Sequence, residues 1–358
     1  MRFQLRLLPL PLSLLACGGS TQAAPDAGAD SSAPITDSGA PLTDSSSPVD
    51  SGVDDAFNPP AEAASTRDAS APAILLYSGD GEGFYDDTWE FDGTSWTQLS
   101  VPDPASVIDG GSLGRSMHAM AQLGNKVVLY GGTANPSQVD LSDTWTWDGL
   151  AWTQLEIAGP PARNGHAMAT LGDKIVMYGG CTGPLTDTWT FDGTTWTQVA
   201  MTGPNPGNFR CAAAMATVGN SVVLFGGVGA NPDTWLFDGT SWTQSSATGP
   251  GMRAYFAMAT LGSNAVMFGG EQDANTFLAD TWTFDGTAWT QLNIQGPAQR
   301  FHHGMSTLNG LVVLFGGGGP AGGPVPWYGD TWTFDGTAWT MLTATGPVGR
   351  LVYTLATR

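Results

Sequence analysis

The sequence is poor in basic residues, with 12 Lys and Arg against 32 Asp and Glu, for a formal net charge of −20 at pH 7. It also has only three cysteines and four histidines. Nucleic acids and anionic membrane surfaces attract basic patches, so this charge argues against both as partners. No Cys/His cluster has metal-ligand spacing, and no Gly-x-Ser-x-Gly sequence or phosphate-binding loop occurs. The composition predicts no nucleic-acid partner, no metal and no cofactor.

The apolar run near the N-terminus, residues 7–15, is too short to span a bilayer. Because Arg2 and Arg6 precede it, the run predicts a secretory signal peptide. It ends in Leu-Leu-Ala before Cys17, which resembles the bacterial lipoprotein processing box. That resemblance implies cleavage before Cys17, lipidation of its thiol and, with Gly18 next, a bacterial cell envelope location at the outer membrane or cell surface. An ordinary signal peptide with an incidental cysteine is the alternative.

Residues 18–72 consist mainly of Ala, Ser, Asp, Pro, Thr and Gly. Such a segment cannot bury enough apolar surface to offset its loss of conformational entropy. We predict a disordered tether that reaches roughly 40 Å as a coil. The chain then divides into a signal peptide at 1–17, a tether at 18–72 and a globular domain at 73–358. We expect contact with the membrane through the lipid anchor only.

One phrase recurs six times in the globular part, in its first copy Asp-Thr-Trp-Glu-Phe-Asp-Gly-Thr-Ser-Trp-Thr-Gln. The copies begin at Asp87, Asp143, Asp187, Asp233, Asp280 and Asp330. Successive copies lie 56, 44, 46, 47 and 50 residues apart. A period in this range predicts stacked or radial units, each too small to bury its own core.

Each copy predicts a β-hairpin, with Asp-Gly as a two-residue turn between strands of β-branched and aromatic residues. Two tryptophans per copy account for 12 of the 14 in the chain. Each ring buries roughly 150–250 Å², which an isolated hairpin cannot provide. We therefore predict that neighbouring copies bury these tryptophans as core.

Two further strands recur in each repeat. One is an apolar run that ends in a glycine pair, as in 127–132, and the other begins with an arginine, as in 163–169. Four short strands in a repeat of about 40–50 residues are typical of a propeller blade. Small side chains at alternate positions of the arginine strand, such as Ala167 and Ala169, predict that it lies innermost, where the blades are closest.

Taken together, the arginine strand, the glycine pair, Asp-Thr-Trp and the second tryptophan resemble the kelch family over residues 73–358. Ser78 in place of a glycine and Trp147 in place of the usual Phe are mild departures. The resemblance implies an all-β fold, a six-bladed β-propeller. The first repeat starts at its apolar strand, at Ile74, and the last element is an arginine strand from Arg350. We expect this C-terminal strand to complete the first blade and close the ring, leaving no exposed edge.

Strand order predicts two unlike faces. One carries the nearly uniform short turns, and the other, here called the loop face, carries the variable loops after each glycine pair and before each arginine. Binding residues concentrate on variable loops held by a rigid scaffold. The inner strands start on the loop face with Arg115, Arg163, Arg210, Arg253, Arg300 and Arg350, which we predict to ring the mouth of the channel.

Two roles are open for these six arginines. Each could pair with a nearby repeat Asp or a loop carbonyl and tie blades together, and the periodicity of the pattern favours this role. Alternatively, the ring could grip a ligand carboxylate through bidentate hydrogen bonds. The kelch resemblance supports the second role, because some kelch domains use arginines at this strand start to hold acidic peptides.

Further ligand-binding candidates on the loop face are Trp327 and Tyr328 in the longest loop, Tyr85 in the first blade and His302. Aromatic side chains there could stack on a sugar or anchor a peptide, or simply pack within their loops. By contrast, His118, His166 and His303 share one repeat position and are predicted to pack inside.

Cys181 and Cys211 both fall on the loop face in successive repeats. A secreted protein is exposed to a compartment that permits disulfides. A disulfide between them and two free thiols are the alternatives.

The sequence therefore favours a lipid-anchored, extracytoplasmic binding module that recognises an acidic protein segment or a glycan on its loop face. An enzyme acting on a carboxylated sugar, similar to the kelch-type mutarotases, is the alternative, because an arginine-lined mouth would suit that substrate. A copper radical oxidase of the kelch type finds no matching metal-site motif, and a structural envelope protein is a third possibility. No residues are assigned a catalytic role.

Overall fold

The computed structural model describes residues 68–104, 114–135, 137–183, 185–199, 203–204, 210–273, 275–320, 327–351 and 354–358. The predicted signal peptide, with Cys17, and most of the predicted tether lie outside these residues. The described chain forms six four-stranded antiparallel sheets, each of which is one blade. Within this part of the chain, no helix is long and apolar enough to cross a bilayer.

The strands of each blade follow one another outward from the ring axis. Blades 1 to 3 consist of Ala356–Thr357, Ile74–Asp80, Phe84–Phe91, Trp96–Leu99; Ala119–Leu123, Lys126–Tyr130, Thr144–Trp147, Trp152–Leu155; and Ala167–Leu171, Lys174–Tyr178, Thr188–Phe191, Trp196–Val199. Blades 4 to 6 consist of Ala214–Val218, Ser221–Phe225, Thr234–Phe237, Trp242–Ser245; Ala257–Leu261, Asn264–Phe268, Thr281–Phe284, Trp289–Leu292; and Gly304–Leu308, Leu311–Phe315, Thr331–Phe334, Trp339–Leu342.

The innermost strands contact one another in cyclic order from blade 2 to blade 6, and Ala356–Thr357 contacts the innermost strands of both blade 6 and blade 2. The C-terminal strand pairs antiparallel with the apolar strand of blade 1, with Ala356 opposite Leu75. The predicted all-β ring of six blades, in which the C-terminal strand completes the first blade, is confirmed.

The hydrophobic core lies between the blades. Six clusters of buried apolar residues are each shared by two neighbouring blades. In one of them the Trp196 ring of blade 3 stacks on Phe191, and its centroid lies 5.1 Å from that of Tyr130 in blade 2. The prediction that neighbouring repeats bury the tryptophans holds for the second tryptophan of each repeat, which is buried in every blade except blade 4, where Trp242 is half-buried. The first tryptophan, such as Trp189, is half-buried and packs against a cluster from its side.

The second tryptophan of each repeat also donates a hydrogen bond to the preceding blade. Trp196 Nε1 donates to Thr144 Oγ1 at 3.0 Å, and the same bond recurs between every pair of neighbours, including Trp96 to Thr331 across the closure at 2.9 Å. The threonine of Asp-Thr-Trp is thus an acceptor between blades, a role that the sequence pattern did not reveal.

The Asp-Gly turns differ from the prediction. Phe191 pairs with Trp196, so the loop between them has four residues, not two. The Asp192 carboxylate accepts hydrogen bonds from the N–H groups of Thr194 and Thr195, each at 2.8 Å, and this side-chain acceptor stabilises the longer loop. In this loop Gly193 has a left-handed φ of 98°.

Regular strand pairing begins four residues after the repeat arginine in blades 2 to 6, and not at the arginine as predicted. The backbone of the arginine bonds instead to the preceding blade. Arg163 N–H donates to Leu141 O at 3.1 Å, and Arg163 O accepts from Gly132 N–H at 2.9 Å. Two small sheets also lie on the loop face, formed by Arg115–Ser116, Thr133–Ala134, Val139–Asp140 and by Glu271–Asp273, Thr276–Phe277.

Candidate functional site

The side chain of each repeat arginine binds the repeat aspartate of its own blade. Arg163 donates from Nη1 and Nη2 to the two carboxylate oxygens of Asp187, both at 2.9 Å, and Nη1 also donates to Gly179 O at 3.1 Å. The six ion pairs are Arg115–Asp143, Arg163–Asp187, Arg210–Asp233, Arg253–Asp280, Arg300–Asp330 and Arg350–Asp87. Because the backbone of the arginine bonds to the preceding blade, each arginine links two blades.

These arginines are buried, with relative exposures of 0 to 3%. Burial acts to raise the pKa of Asp187, but the hydrogen bonds from Arg163 and Trp189 outweigh it and hold the pKa below its usual value. The carboxylate therefore stays ionised opposite a buried guanidinium. This geometry favours the alternative in which the arginines hold the blades together, over a ring that presents guanidinium groups to a ligand.

Two tyrosines cover arginines from the loop face. The guanidinium carbon of Arg350 lies 4.0 Å from the ring centroid of Tyr85, and that of Arg300 lies 4.2 Å from the ring centroid of Tyr328. Both tyrosines stand two residues before a repeat aspartate, where the other blades have Leu141, Leu185, Asn231 and Leu278. Tyr328 therefore shares a repeat position with Tyr85, and Trp327 shares the preceding position with Phe84 and Phe277.

A belt of backbone hydrogen bonds narrows the channel at the loop face. It is formed by the residue two places after each repeat arginine, and the described members are Met117, Gly165, Ala212, Tyr255 and His302. From Gly165 onward, the N–H of each of these residues donates to the carbonyl of its equivalent in the preceding blade, at 2.8 to 3.2 Å. All five have left-handed φ values of 52° to 61°, an arrangement that costs free energy for residues other than glycine.

Histidines line a small cavity of about 60 Å³ at this belt. The ring centroids of His118, His166 and His303 lie 5.6 to 5.7 Å from those of Tyr77, Tyr130 and Phe268 in the preceding blade. Burial, with a smaller contribution from Arg115, lowers the pKa of His118 to about 3. These three histidines are neutral packing residues, as their shared repeat position predicts.

The opposite end of the channel holds a wider cavity of about 270 Å³. Threonine hydroxyls lie along it, and each donates to the carbonyl of the preceding blade, as Thr260 does to Thr217 O at 2.9 Å and Thr357 to Thr307 O at 2.6 Å. The hydroxyl hydrogens are thus used within the ring. This end repeats almost unchanged from blade to blade, so it offers little that could distinguish one ligand from another.

The loop face divides into two parts. In blades 5, 6 and 1 it carries ring side chains that are half-buried or exposed, and we call this part the aromatic sector: Phe84, Tyr85, Tyr255, Phe277, Phe301, His302, Trp327 and Tyr328. Four of these rings are in successive contact, with centroid distances of 5.1 Å for Phe277–Phe301, 5.2 Å for Phe301–His302 and 4.1 Å for Tyr255–His302. The sector brings together Trp327, Tyr328, Tyr85 and His302, which the sequence analysis singled out separately.

In blades 2 to 4 the described loops of the loop face contain no Phe, Tyr or Trp, and we call this part the polar sector. Cys181 of blade 3 and Cys211 of blade 4 are joined by a disulfide. Asp140 accepts hydrogen bonds from Thr133 at 3.0 Å and from Asn164 at 2.7 Å, and so connects blades 2 and 3. The belt residue beside the disulfide is Gly165, where a Cβ atom would collide with Cys181 Sγ.

Two carboxylates of the aromatic sector occupy one repeat position, directly after the glycine pair. Asp80 is paired with Leu351 in blade 1, and Glu271 is paired with Ala254 in blade 5. Burial raises the pKa of Asp80 to about 6, and burial followed by the charge of Asp273 raises that of Glu271. Neither residue was predicted from the sequence. The other blades have the uncharged residues Thr, Cys, Val or Gly at this position. An acidic residue there was therefore the signal in the sequence that could have identified them.

No group of three or more His, Cys, Asp or Glu residues in the described part of the chain is arranged to hold a metal ion. Clustered residues with perturbed pKa values and an aromatic surface remain the features that mark the aromatic sector as the candidate site.

Comparison with known proteins gives one family. The model of the KLHDC2/KLHL20/DRC7 Kelch-repeats domain matches residues 52–227, which end at the glycine pair of blade 4. Blades 5 and 6 lie beyond that match and carry the same repeat phrase. No curated protein matches the chain.

Proposed function

We propose that this chain, which belongs to the kelch-repeat family of β-propellers, is a lipid-anchored module of the bacterial cell envelope that binds a protein partner through the aromatic sector. The coarser part of this function follows from the family, since a kelch-repeat domain indicates a protein-binding β-propeller. The finer part, the anchor and the binding surface, rests on the residues described below.

The observation that carries the proposal is the concentration of half-buried rings in three adjacent blades. Aromatic side chains contribute large contact areas at a low entropic cost, and they dominate the centres of protein interfaces. Phe84, Phe277 and Trp327 share a repeat position that is aromatic only in blades 1, 5 and 6. Phe84 is 42% exposed and the other two are half-buried, so the core does not account for them. The rigid ring holds these loops in place, which lowers the entropy lost on binding.

Support for the anchor comes from the sequence. The basic start, the short apolar run and Cys17 fit a lipidated N-terminus, and residues 18–72 would hold the propeller away from the membrane surface. Replacing Cys17→Ala in the native host is expected to release the protein from the membrane fraction. Retention of the variant in that fraction would count against the anchor.

The arginines no longer support a carboxylated ligand. The enzyme alternative required an arginine-lined mouth, but the six guanidinium groups are bound to repeat aspartates and buried. The aromatic sector is therefore the better candidate surface, and a glycan that stacks on its rings becomes one outcome of the test.

A photocrosslinking amino acid introduced separately at Phe84, Trp327 and Leu311 tests the proposal in cells of the native host. Leu311 is the matched control, because it is 36% exposed and follows a short turn on the opposite face. We expect the same protein adduct, identified by mass spectrometry, from Phe84 and Trp327 and none from Leu311. An equal yield from Leu311, a glycan adduct, or no adduct at the first two positions would contradict the proposal.

A further inference from the structure

The basic residues of the propeller are distributed unevenly between its faces. Nine follow Ala73, and seven of these are arginines that each form an ion pair with a carboxylate, the seventh pair being Arg358–Glu90. The remaining two, Lys126 and Lys174, are exposed beside the short turns of the opposite face. The loop segments that the structure does not describe contain no Lys or Arg. The loop face therefore has no basic side chain available to a ligand.

Acidic residues, by contrast, gather in the aromatic sector. Glu82, Asp86 and Asp273 are exposed there, and Asp80 and Glu271 are half-buried at equivalent positions of blades 1 and 5, on either side of blade 6. Among the described residues, none of the ion pairs involves any of these five carboxylates. Asp80 Oδ1 is buried and accepts no hydrogen bond from the described part of the chain.

An acidic surface of this kind selects its partner by charge. A negatively charged segment would be repelled, since like charges brought together across an interface cost several kcal/mol in total. A lysine or arginine side chain would meet carboxylates that form no ion pair within the described part of the chain. Its apolar stem would lie on the rings, and its charged group could also stack over a tyrosine or tryptophan face.

We propose that the segment bound by the aromatic sector is cationic, and that Asp80 and Glu271 receive its lysine or arginine side chains. This inference rests on the proposed function and adds to it the chemical class of the partner. It replaces the acidic segment expected from the sequence, because the arginines that would have received that segment are already neutralised by the repeat aspartates.

The test uses the full chain and three pools of random twelve-residue peptides with equal aromatic content and net charges of about +4, 0 and −4. Binding is compared with that of the Asp80→Asn/Glu271→Gln variant. The matched control is Asp173→Asn, which removes an exposed carboxylate from the opposite face, at a position where two other repeats have Asn125 and Asn220. Thermal melting of each variant checks that the fold is retained.

We expect enrichment from the cationic pool. In the double variant, the loss of each carboxylate should lower the affinity for the enriched peptides about tenfold. Affinity should also fall with salt, because the paired charges are partly exposed to solvent. The control variant should bind as the wild type does. Enrichment from the neutral or anionic pool, or unchanged binding by the double variant, would overturn the cationic assignment.

The two proposals fail in different ways. Loss of binding in Phe84→Ala and Trp327→Ala, together with indifference to peptide charge, would leave the proposed surface standing and reject only the cationic partner. If no pool binds, or if bound peptides are unaffected by either aromatic substitution, both proposals are contradicted.

Discussion

The two sectors of the loop face rest on the same repeated scaffold of blades and differ in the side chains that their loops carry. In the polar sector a disulfide and the Asp140 hydrogen bonds connect blades 2, 3 and 4 to one another. In the aromatic sector, loops of the same blade position end in rings and carboxylates that are left half-buried. One sector joins its blades through a disulfide and polar bonds, and the other through ring contacts such as Phe277 with Phe301.

The frame beneath both sectors is the same. In blade 3 and in blade 6 alike, the arginine binds its aspartate through both carboxylate oxygens, and the second tryptophan donates to the threonine of the preceding blade. A repeated set of contacts thus fixes the scaffold, while the variable residues of the loops give each sector a different surface. Substitutions in the repeated contacts should affect both sectors alike, whereas substitutions of residues specific to one sector should affect that sector alone.

The largest effect is expected from the arginines. Arg163→Ala in the polar sector and Arg300→Ala in the aromatic sector should each lower the free energy of unfolding by about 3–5 kcal/mol, because each leaves a half-buried carboxylate unpaired. Chemical denaturation measures this, with the exposed Lys174→Ala as a control expected within about 0.5 kcal/mol of the wild type. If the arginines served a ligand instead, both variants would keep wild-type stability and lose only binding.

A smaller effect, confined to the polar sector, is expected from the disulfide. Its cysteines are separated by 30 residues, and a closed loop of that length stabilises by about 3–4 kcal/mol in the chain-entropy description. The Cys181→Ser/Cys211→Ser variant should lose about this much unfolding free energy, and the reduced wild type should match it. Peptide binding at the aromatic sector should not change once folding is allowed for. Lost binding by the folded variant would mean that the sectors are not independent.

The smallest effect concerns pH and is expected equally in both sectors. Because burial holds the pKa of His118 at about 3, the folded state stays neutral while the unfolded state takes up a proton below about pH 6.5. Unfolding free energy should therefore fall as the pH drops below 6.5, by about 1.4 kcal/mol per pH unit for one such histidine. His118→Phe should remove this histidine's contribution to the slope of unfolding free energy against pH between pH 7 and pH 5. Phe is the chosen replacement because Phe256 fills the same repeat position in blade 5.

The equivalent change in the aromatic sector, His303→Phe, should flatten the slope by a similar amount. The pKa of Asp80, raised to about 6, acts in the opposite direction, because its protonation on acidification favours the folded state. Taking the difference between each variant and the wild type cancels this opposing contribution. An unchanged slope in both variants would show that these histidines are not buried in neutral form.

The repeated frame was largely predictable from the sequence, because its contacts involve residues that recur with a fixed period. Six tryptophan-rich phrases, the arginine starts and the terminal order of strands predicted the ring and its closure. The two-residue turn was wrong, since a side-chain acceptor such as Asp192 can stabilise a longer loop that local propensity does not distinguish. The tryptophan-to-threonine bonds join residues such as Trp196 and Thr144, and only the distance between blades reveals them.

The candidate site was predicted in part. The unusual aromatic residues Trp327 and Tyr85 were visible as departures in the loops, but their assembly with Tyr255 and Phe301 from other loops depends on the closed ring. The role of the arginines could not be decided from residue type and repeat period alone, because an arginine that holds blades together and one that binds a ligand have the same sequence signature. Burial and the bidentate bonds to repeat aspartates separate the two roles.

The most direct test of the division into two sectors is amide hydrogen exchange of the full chain, with and without the tightest peptide from the cationic pool. The account predicts slower exchange on binding at 80–86, 271–277 and 327–328, with no change at 133–141 or 181–185. Protection centred on the polar sector, or on the short turns of the opposite face, would contradict the assignment of binding to the aromatic sector.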